Sequence, residues 1–109
     1  MMTRRTFQIL LALAEGPAHG YGIRGRVEAR TDGAVRLGSG TLYEAVHRLV
    51  EQGDIHEVPP PPDEPTSGGP PRRFYDLTEQ GRSALLAELR RMDEAVTLAR
   101  SLDLMPEAG

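Results

Sequence analysis

One stretch of this chain places three secondary-structure signals in a fixed order. Residues 40–53 have helical periodicity and end in a glycine. Two short alternating segments follow, at 54–58 and 73–77, and both are typical of β-strands. Strong helix formers then continue from Thr78 for about 25 residues. A short helix, a two-stranded ribbon and a longer helix in this order predict a winged helix.

The residues before this stretch predict two further helices. Apolar side chains recur at helical spacing over residues 4–15, and a second helix is expected at about 21–30. A short edge strand is predicted at 35–37, and Ser39 or Thr41 is expected to cap the third helix. The predicted fold class is mainly α with a small β-hairpin: a winged helix-turn-helix followed by a long C-terminal helix.

The predicted organisation has one boundary. Residues 1–77 form the winged helix-turn-helix domain, 78–105 a C-terminal dimerisation helix, and 106–109 a tail. Within the first part, a wing loop is placed at about 59–72. It holds seven of the nine prolines, which fit neither a strand interior nor a helix, so an extended, partly disordered hairpin tip is expected.

Composition excludes several classes of protein. A chain of 109 residues forms one small domain without room for a separate catalytic lobe. It has no cysteine, which removes disulfides and thiolate metal sites. No apolar run approaches the ~18 residues of a membrane span, and the start lacks the features of a signal peptide. These observations predict a cytoplasmic protein that does not engage a membrane.

Neither catalysis nor a cofactor is expected. The histidines His19, His47 and His56 belong to different predicted elements, and none combines an orienting carboxylate with a nearby nucleophile. Three scattered histidines without cysteine make a poor metal site. Residues 20–25 fit G-x-G-x-x-G, but the segment before them has helical period, whereas a dinucleotide fingerprint follows a strand.

Charge is distributed unevenly along the chain. Residues 1–50 carry seven arginines and four acidic residues, whereas residues 51–109 carry six arginines and twelve acidic residues. A basic first half and an acidic second half suit a DNA-facing part joined to a part that does not face DNA. All thirteen cationic side chains are arginine, in both halves, which also fits a general coding preference.

The predicted third helix and the stem of the wing loop carry the candidate DNA contacts. The exposed face of the helix is small near its start and then presents His47 and Arg48, so its N-terminus can approach bases and phosphates. Arg72 and Arg73 lie where a wing reaches a minor groove or flanking phosphate. Glu44 and Glu51 on the same helix face count against this interpretation, unless Glu44 accepts from a cytosine amine or pairs with Arg48 one turn on.

The last helix predicts self-association. Its apolar residues recur at spacings of three and four and form a seam longer than a 109-residue monomer can cover. The seam consists of Leu85, Leu89, Met92, Val96, Ala99 and Leu102. Two arrangements remain open: a twofold dimer in which a second copy supplies the partner helix, and a helix folded back on its own core.

Several of these segments together resemble the PadR family of bacterial transcriptional regulators. The resemblance covers about residues 5–90. It rests on His19-Gly20-Tyr21-Gly22-Ile23, Gly40-Thr41-Leu42-Tyr43-Glu44-Ala45, Arg48-Leu49, Gly53, Ile55 and Pro71-Arg72-Arg73-Phe74-Tyr75-Asp76-Leu77-Thr78-Glu79-Gln80-Gly81.

This resemblance implies a homodimeric winged-helix protein that binds a near-palindromic operator and usually represses a nearby gene. Dimers in this family use the C-terminal helices together with the first helix, which adds Phe7 and Leu10 to the expected interface. The third helix is expected to enter the major groove. The expected DNA contacts are Tyr21, Ser39, Gly40, Thr41, Tyr43, His47, Arg48, Arg72 and Arg73.

The resemblance leaves an effector site open. Some short members of the family bind flat aromatic compounds between paired indoles at the dimer interface, but this chain has no tryptophan. Met92 falls at about the indole position, with Leu89 and Val96 one turn away. These three residues are the expected pocket for a small hydrophobic or aromatic effector, or else plain core. An alternative function is a winged-helix dimer that acts as a protein-interaction adaptor without sequence-specific DNA binding.

Overall fold

The computed structural model describes residues 2–64 and 72–106, so residues 65–71 of the predicted wing loop and 107–109 of the predicted tail lie outside it. The predicted fold class is confirmed. The elements are α1 (Arg4–Ala14), β1 (Ala18–His19), α2 (Gly20–Arg30), α3 (Ser39–Gln52), β2 (Ile55–Val58), β3 (Phe74–Leu77) and α4 (Glu79–Ser101).

The core is built around α1, which packs against α2, β3 and α4. Its side chains Ile9, Leu10 and Leu13 are completely buried. Among the described residues, no polar or charged side chain is buried, so the core is held by apolar packing alone. Leu10 has no exposed surface in the single chain, and its place in a dimer interface stays a prediction.

The three strands form one antiparallel sheet in the order β1-β3-β2. In β1, Ala18 pairs with Tyr75 and His19 pairs with Phe74. The edge strand predicted at 35–37 is therefore wrong, because this two-residue strand takes the edge of the sheet instead.

The segment before α3 is a turn rather than a strand. The hydroxyl of Thr31 donates to the carbonyl of Val27 at 2.8 Å and accepts from the N–H of Val35 at 3.1 Å. Leu37 is 3% exposed and anchors the segment in the core. These contacts hold the backbone away from the sheet and deliver it to the start of α3.

Hydrogen bonds and close backbone packing join the end of α3 to the start of α4. Gly53 ends α3 in the left-handed region, with φ 83°. The N–H of Thr78 donates to the carbonyl of Asp54 at 3.1 Å, and the Gln80 amide donates to the Asp54 carboxylate at 2.9 Å. Gly81 packs so closely that an added Cβ would lie 1.9 Å from the Asp54 carbonyl oxygen. The orientation of α4 therefore depends on that of α3.

Helix α4 leaves the body of the molecule. Its 23 residues span ~34 Å, but only Gly81 and Leu85 in its first turns are buried. The molecule is correspondingly elongated, with extents of 56, 27 and 26 Å. The helix ends at Ser101, earlier than the predicted 105, because Asp103 adopts φ 58° and Leu104 donates back to the Ala99 carbonyl. No helix in the described part of the chain is long and apolar enough to cross a membrane.

Candidate nucleic-acid interface

Helix α3 presents a polar surface to solvent. Its buried side consists of Leu42, Ala45, Val46 and Leu49. The predicted contact residues lie on the opposite side, where Ser39, Gly40, Tyr43, His47 and Arg48 are exposed and Thr41 is half-buried. The structure therefore brings all the α3 candidates to one surface.

Two acidic residues share this surface. Glu51 lies within ion-pair distance of His47 one turn earlier, and both side chains are largely exposed. The carboxylate orients the imidazole, since a ring nitrogen of His47 is its contact atom. Glu44 forms no ion pair with any described residue and lies between the exposed face and the side nearest α1.

The N-terminus of α3 differs from those of the other helices in the described part of the chain. Each of the other three is capped by a side chain that accepts a hydrogen bond from the first turn: Thr3, His19 and Thr78. The N-cap of α3 is Gly38, and no described side chain caps it. The predicted caps Ser39 and Thr41 are wrong because both residues already lie inside the helix.

An uncapped N-terminus leaves backbone donors available. The first N–H groups of a helix have no partner within the helix, and the helix dipole makes this end positive. An ideal Cβ placed on Gly38 or Gly40 meets no atom within 4 Å, so the backbone there is open to solvent. The start of α3 can therefore accept an anionic oxygen from outside the protein.

A cleft of about 410 Å³ separates α3 from β3 and the start of α2. We call it the wing cleft. Two tyrosines stand at its rim, Tyr21 at 75% exposure and Tyr43 at 72%. Its remaining lining includes the arginines Arg24, Arg72 and Arg73. Exposed aromatic rings beside arginines suit a flat, anionic surface such as a nucleic-acid backbone with its sugars.

His19 organises the wing cleft and was not predicted as a functional residue. Its Nδ1 accepts a hydrogen bond from the N–H of Gly22 at 3.0 Å and so caps α2. Its ring packs edge-on against Phe74, with 5.1 Å between centroids. Its Nε2 lies 3.0 Å from Nη1 of Arg72. The sequence pointed to this residue only through the run His19-Gly20-Tyr21-Gly22, which is part of the family resemblance.

The contact between His19 and Arg72 brings two donors together. Because Nδ1 accepts from a backbone N–H, the neutral ring carries its proton on Nε2, and the guanidinium cannot donate there. Burial lowers the pKa of His19, and the positive charge of Arg72 lowers it further. Arg72 therefore lies beside the ring without a hydrogen bond to it, and the other donors of its guanidinium have no partner among the described residues.

Other arginines have structural partners. Arg26 donates to the carbonyls of Ala12 and Gly16 at 3.0 and 2.7 Å, tying α2 to the end of α1. Arg30 donates to the Glu15 carboxylate at 3.0 Å. The positive charge of the first half is thus divided between residues that brace the fold and residues that face solvent.

The predicted dimer residues fall into three groups by exposure. Phe7, Leu10 and Leu85 are buried in the protomer's own core. Leu89, Val96 and Ala99 are half-buried along one side of α4. Met92 and Leu102 are exposed, at 42% and 58%, and so are Leu86 and Leu98. The single chain thus leaves several apolar side chains of α4 in contact with water. The suggested effector residues Leu89, Met92 and Val96 share one stripe of the helix.

Three helices, a small antiparallel sheet and an exposed, polar third helix define a winged-helix protein. The particular family follows from the sequence. The chain belongs to the Transcriptional regulator PadR-like family, whose sequence profile matches residues 9–87. The comparison with curated proteins gave no match.

Solved structures share this fold. A transcriptional regulator from Clostridium thermocellum is 21% identical, with a TM-score of 0.66 over 93% of this chain and 97% of its own. A PadR family regulator from Clostridium difficile is 23% identical, with a TM-score of 0.68 over 89% and 95%. Bacillus subtilis PadR in complex with operator DNA is 20% identical, with a TM-score of 0.64 over 80% of this chain and 47% of its own.

Proposed function

We propose that this chain is a DNA-binding transcriptional regulator that acts as a homodimer and represses a neighbouring gene. Residues 1–77 would form the DNA-binding part and 78–105 the dimerising part. Action on chromosomal DNA would place the protein in the cytoplasm. Its target would be a near-palindromic operator, because two copies related by a twofold axis present the same helix twice.

The observation that carries this proposal is the start of α3. Its backbone donors are uncapped, its first turn contains Ser39 and Gly40, and the wing cleft adds cationic side chains beside it. A helix with these properties can insert its N-terminal end into a major groove and place N–H groups on phosphate. Membership of a family of transcriptional regulators supports the same interpretation.

The dimer is supported by the exposed apolar side of α4. Burying apolar surface stabilises an assembly by roughly 25 cal/mol per Å², so side chains such as Met92 and Leu98 favour contact with a second α4 over contact with water. A twofold axis through paired α4 helices would set the two α3 helices about one helical turn of DNA apart, ~34 Å.

A binding experiment tests the proposal. Fluorescence anisotropy with duplex DNA from upstream of the chain's own reading frame should give a salt-sensitive complex, tighter than with a scrambled duplex. Replacing Tyr43 or His47 with Ala should weaken the preference for the upstream DNA by on the order of tenfold, because base contacts carry sequence discrimination. The same measurement separates the alternative function, since an adaptor protein would bind neither duplex with dependence on salt or sequence.

Release by an effector forms part of the proposal. The side chains of Leu89, Met92 and Val96 would line the space between two α4 helices, and a small apolar or aromatic compound bound there would change their packing. A thermal-shift screen with planar aromatic cations should raise the melting temperature of the wild type. The variant Met92→Ala should respond less to the same compounds. No ligand-dependent shift in either protein would remove the effector from the proposal.

A further inference from the structure

A second cleft lies on the side of α3 away from the wing. It has a volume of about 330 Å³ and opens between the N-terminal end of α1 and the middle of α3. We call it the α1 cleft. The α1 side supplies Thr3, Arg4, Arg5 and Thr6, and the α3 side supplies Thr41, Glu44, Ala45, Arg48 and Leu49.

The arginines of the α1 cleft have no partner within the described residues. Arg4, Arg5 and Arg48 are all exposed, and none forms an ion pair or side-chain hydrogen bond there. Glu44 is the one acidic residue in the lining, so the cleft carries an excess of positive charge. By contrast, Arg26 and Arg30 in the same half of the chain are fully engaged in the fold.

The position of two of these arginines is unfavourable for the isolated fold. Arg4 and Arg5 begin α1, whose first turn contains no acidic residue. Positive side chains at the positive end of a helix destabilise it. A local arrangement that costs stability and has no internal compensation is characteristic of a functional site, here one that an external anion would neutralise.

The two clefts lie on opposite sides of the exposed ridge of α3. At 100° per residue, Tyr43 of the wing cleft and Arg48 of the α1 cleft are about 140° apart around the helix, and His47 lies between them. An α-helix with side chains is ~10–12 Å thick and the major groove is ~12 Å wide. A helix inserted in that groove therefore brings each flank close to one of the two backbones that border it.

We propose that the α1 cleft is a phosphate-binding site, in which Arg4, Arg5 and Arg48 hold a backbone phosphate of the DNA strand opposite the one that the wing cleft contacts. Thr6 and Thr41 line the cleft and supply hydroxyl groups. Glu44 limits the affinity of the site by its negative charge. This inference rests on the proposed DNA-binding function and extends it to a two-sided grip on the groove.

The test uses the full chain and anisotropy titrations over a series of sodium chloride concentrations. The double variant R4A/R48A should bind the upstream duplex on the order of tenfold more weakly at moderate salt, and its salt slope should fall by ~0.9 for each phosphate that it no longer neutralises. The matched control R90A/R91A removes the same charge from the outer side of α4 and should leave the slope unchanged. Glu44→Gln should shift affinity in the opposite direction, towards tighter binding.

A second measurement locates the phosphate that the cleft holds. Duplexes carrying single neutral methylphosphonates should weaken wild-type binding at two sets of positions, one on each strand. The variant R4A/R48A should become insensitive to the set on one strand and stay sensitive to the other, whereas R72A/R73A should show the reverse. Because these side chains are exposed, the melting temperatures of the variants should stay close to that of the wild type.

The possible results separate the role of the α1 cleft from the proposed function. If the wild type binds no duplex in a salt-dependent manner, the proposed function itself fails. In a second case, the wild type binds but R4A/R48A keeps the wild-type salt slope and stays sensitive to methylphosphonates on both strands. Only the phosphate-binding role of the α1 cleft is then overturned. A third result would assign the cleft to free phosphate instead of DNA. Inorganic phosphate would then raise the melting temperature of the wild type but not of R4A/R48A, and the salt slope of DNA binding would be the same for both proteins.

Discussion

The two longest helices of the molecule expose faces of opposite chemistry. Outside the core, α3 presents glycine, histidine and arginine together with free backbone donors, whereas α4 presents Met92, Leu98 and Leu102. Unsatisfied donors gain from contact with anionic acceptors, and exposed apolar side chains gain from contact with apolar surface. One chain therefore exposes two surfaces of different chemistry, one suited to an anionic partner and the other to an apolar partner.

The largest effect should come from placing a charge on the apolar face of α4. We expect Met92→Glu to dissociate the proposed dimer, because two carboxylates would meet at its centre. Operator binding should then weaken by roughly hundredfold or more, since a monomer binds only one half-site. Sedimentation velocity and anisotropy measure the two consequences. Thr97→Glu is the control, because this exposed residue lies at least 100° around α4 from Met92, Leu98 and Leu102, and it should alter neither. A dimer that persists in Met92→Glu would contradict a role for this face.

A substitution at the contact between the end of α3 and the start of α4 should have the next largest effect, on the stability of the fold. Gly81→Ala places a methyl group against the Asp54 carbonyl, so we expect a loss of about 3 kcal/mol in the free energy of unfolding. Gly25→Ala is the matched control, because its added Cβ meets no atom within 4 Å, and it should gain up to about 1 kcal/mol. Urea denaturation measures both variants. Equal stabilities would mean that α3 and α4 are not locked at this point.

On the polar side, the wing arginines should contribute a moderate and sequence-independent effect. We expect R72A/R73A to weaken binding to upstream and scrambled duplexes alike, roughly tenfold, and to lower the salt slope by about one for each phosphate that the two side chains neutralise in the wild type. Anisotropy at several salt concentrations measures the slope. An unchanged salt slope would mean that Arg72 and Arg73 contact no phosphate, so α3 would bind DNA without them.

The smallest expected effect is the contribution of His19 to the pH dependence of the free energy of unfolding. Because its pKa is lowered in the folded chain, by burial first and then by Arg72, folding favours the neutral ring. The unfolded chain protonates near the usual value of 6.5, so this contribution to stability is complete above that pH and declines as the pH falls from 6.5 towards the lowered pKa. Protonation of Nδ1 would also remove the cap of α2.

His19→Asn isolates this contribution. Asparagine is a good N-cap and does not titrate, so the variant should keep α2 capped while losing part of the decrease in stability below pH 6.5. His47 and His56 remain in both proteins, so the difference between the two pH profiles reports on His19. Identical pH profiles of the free energy of unfolding would show that His19 does not contribute.

The elements with strong local signals could be predicted from the sequence. Helical periodicity locates α1 to α4, and alternation locates β2 and β3 to within one residue. The strand Ala18–His19 could not be found, because two residues have no periodicity and their pairing with β3 is a non-local event. The cap of α3 escapes prediction for a related reason: Ser39 and Thr41 have the right chemistry, and only the backbone reveals that Gly38 precedes the first helical residue.

The candidate surface can be predicted better than its internal organisation. Exposure of Tyr43, His47 and Arg48 follows from the position of the apolar residues around α3. Periodicity cannot tell whether an apolar face is covered by the same chain or by another, so Leu10 is expected at an interface although it lies in the core. The role of His19 depends on contacts with residues more than fifty positions away in sequence, which no local pattern encodes.

The joint formed by Gly53, Asp54 and Gly81 has a mechanical consequence. Because these close contacts fix the start of α4 to the end of α3, the two helices should move together. The far end of α4 lies ~34 Å from this joint. In a dimer joined through α4, a change of ~10° in the crossing angle of the two α4 helices would swing each α3 by several ångströms relative to the duplex. A tilt of that size would put successive turns of the operator out of phase with the protein, without altering a single residue that faces DNA.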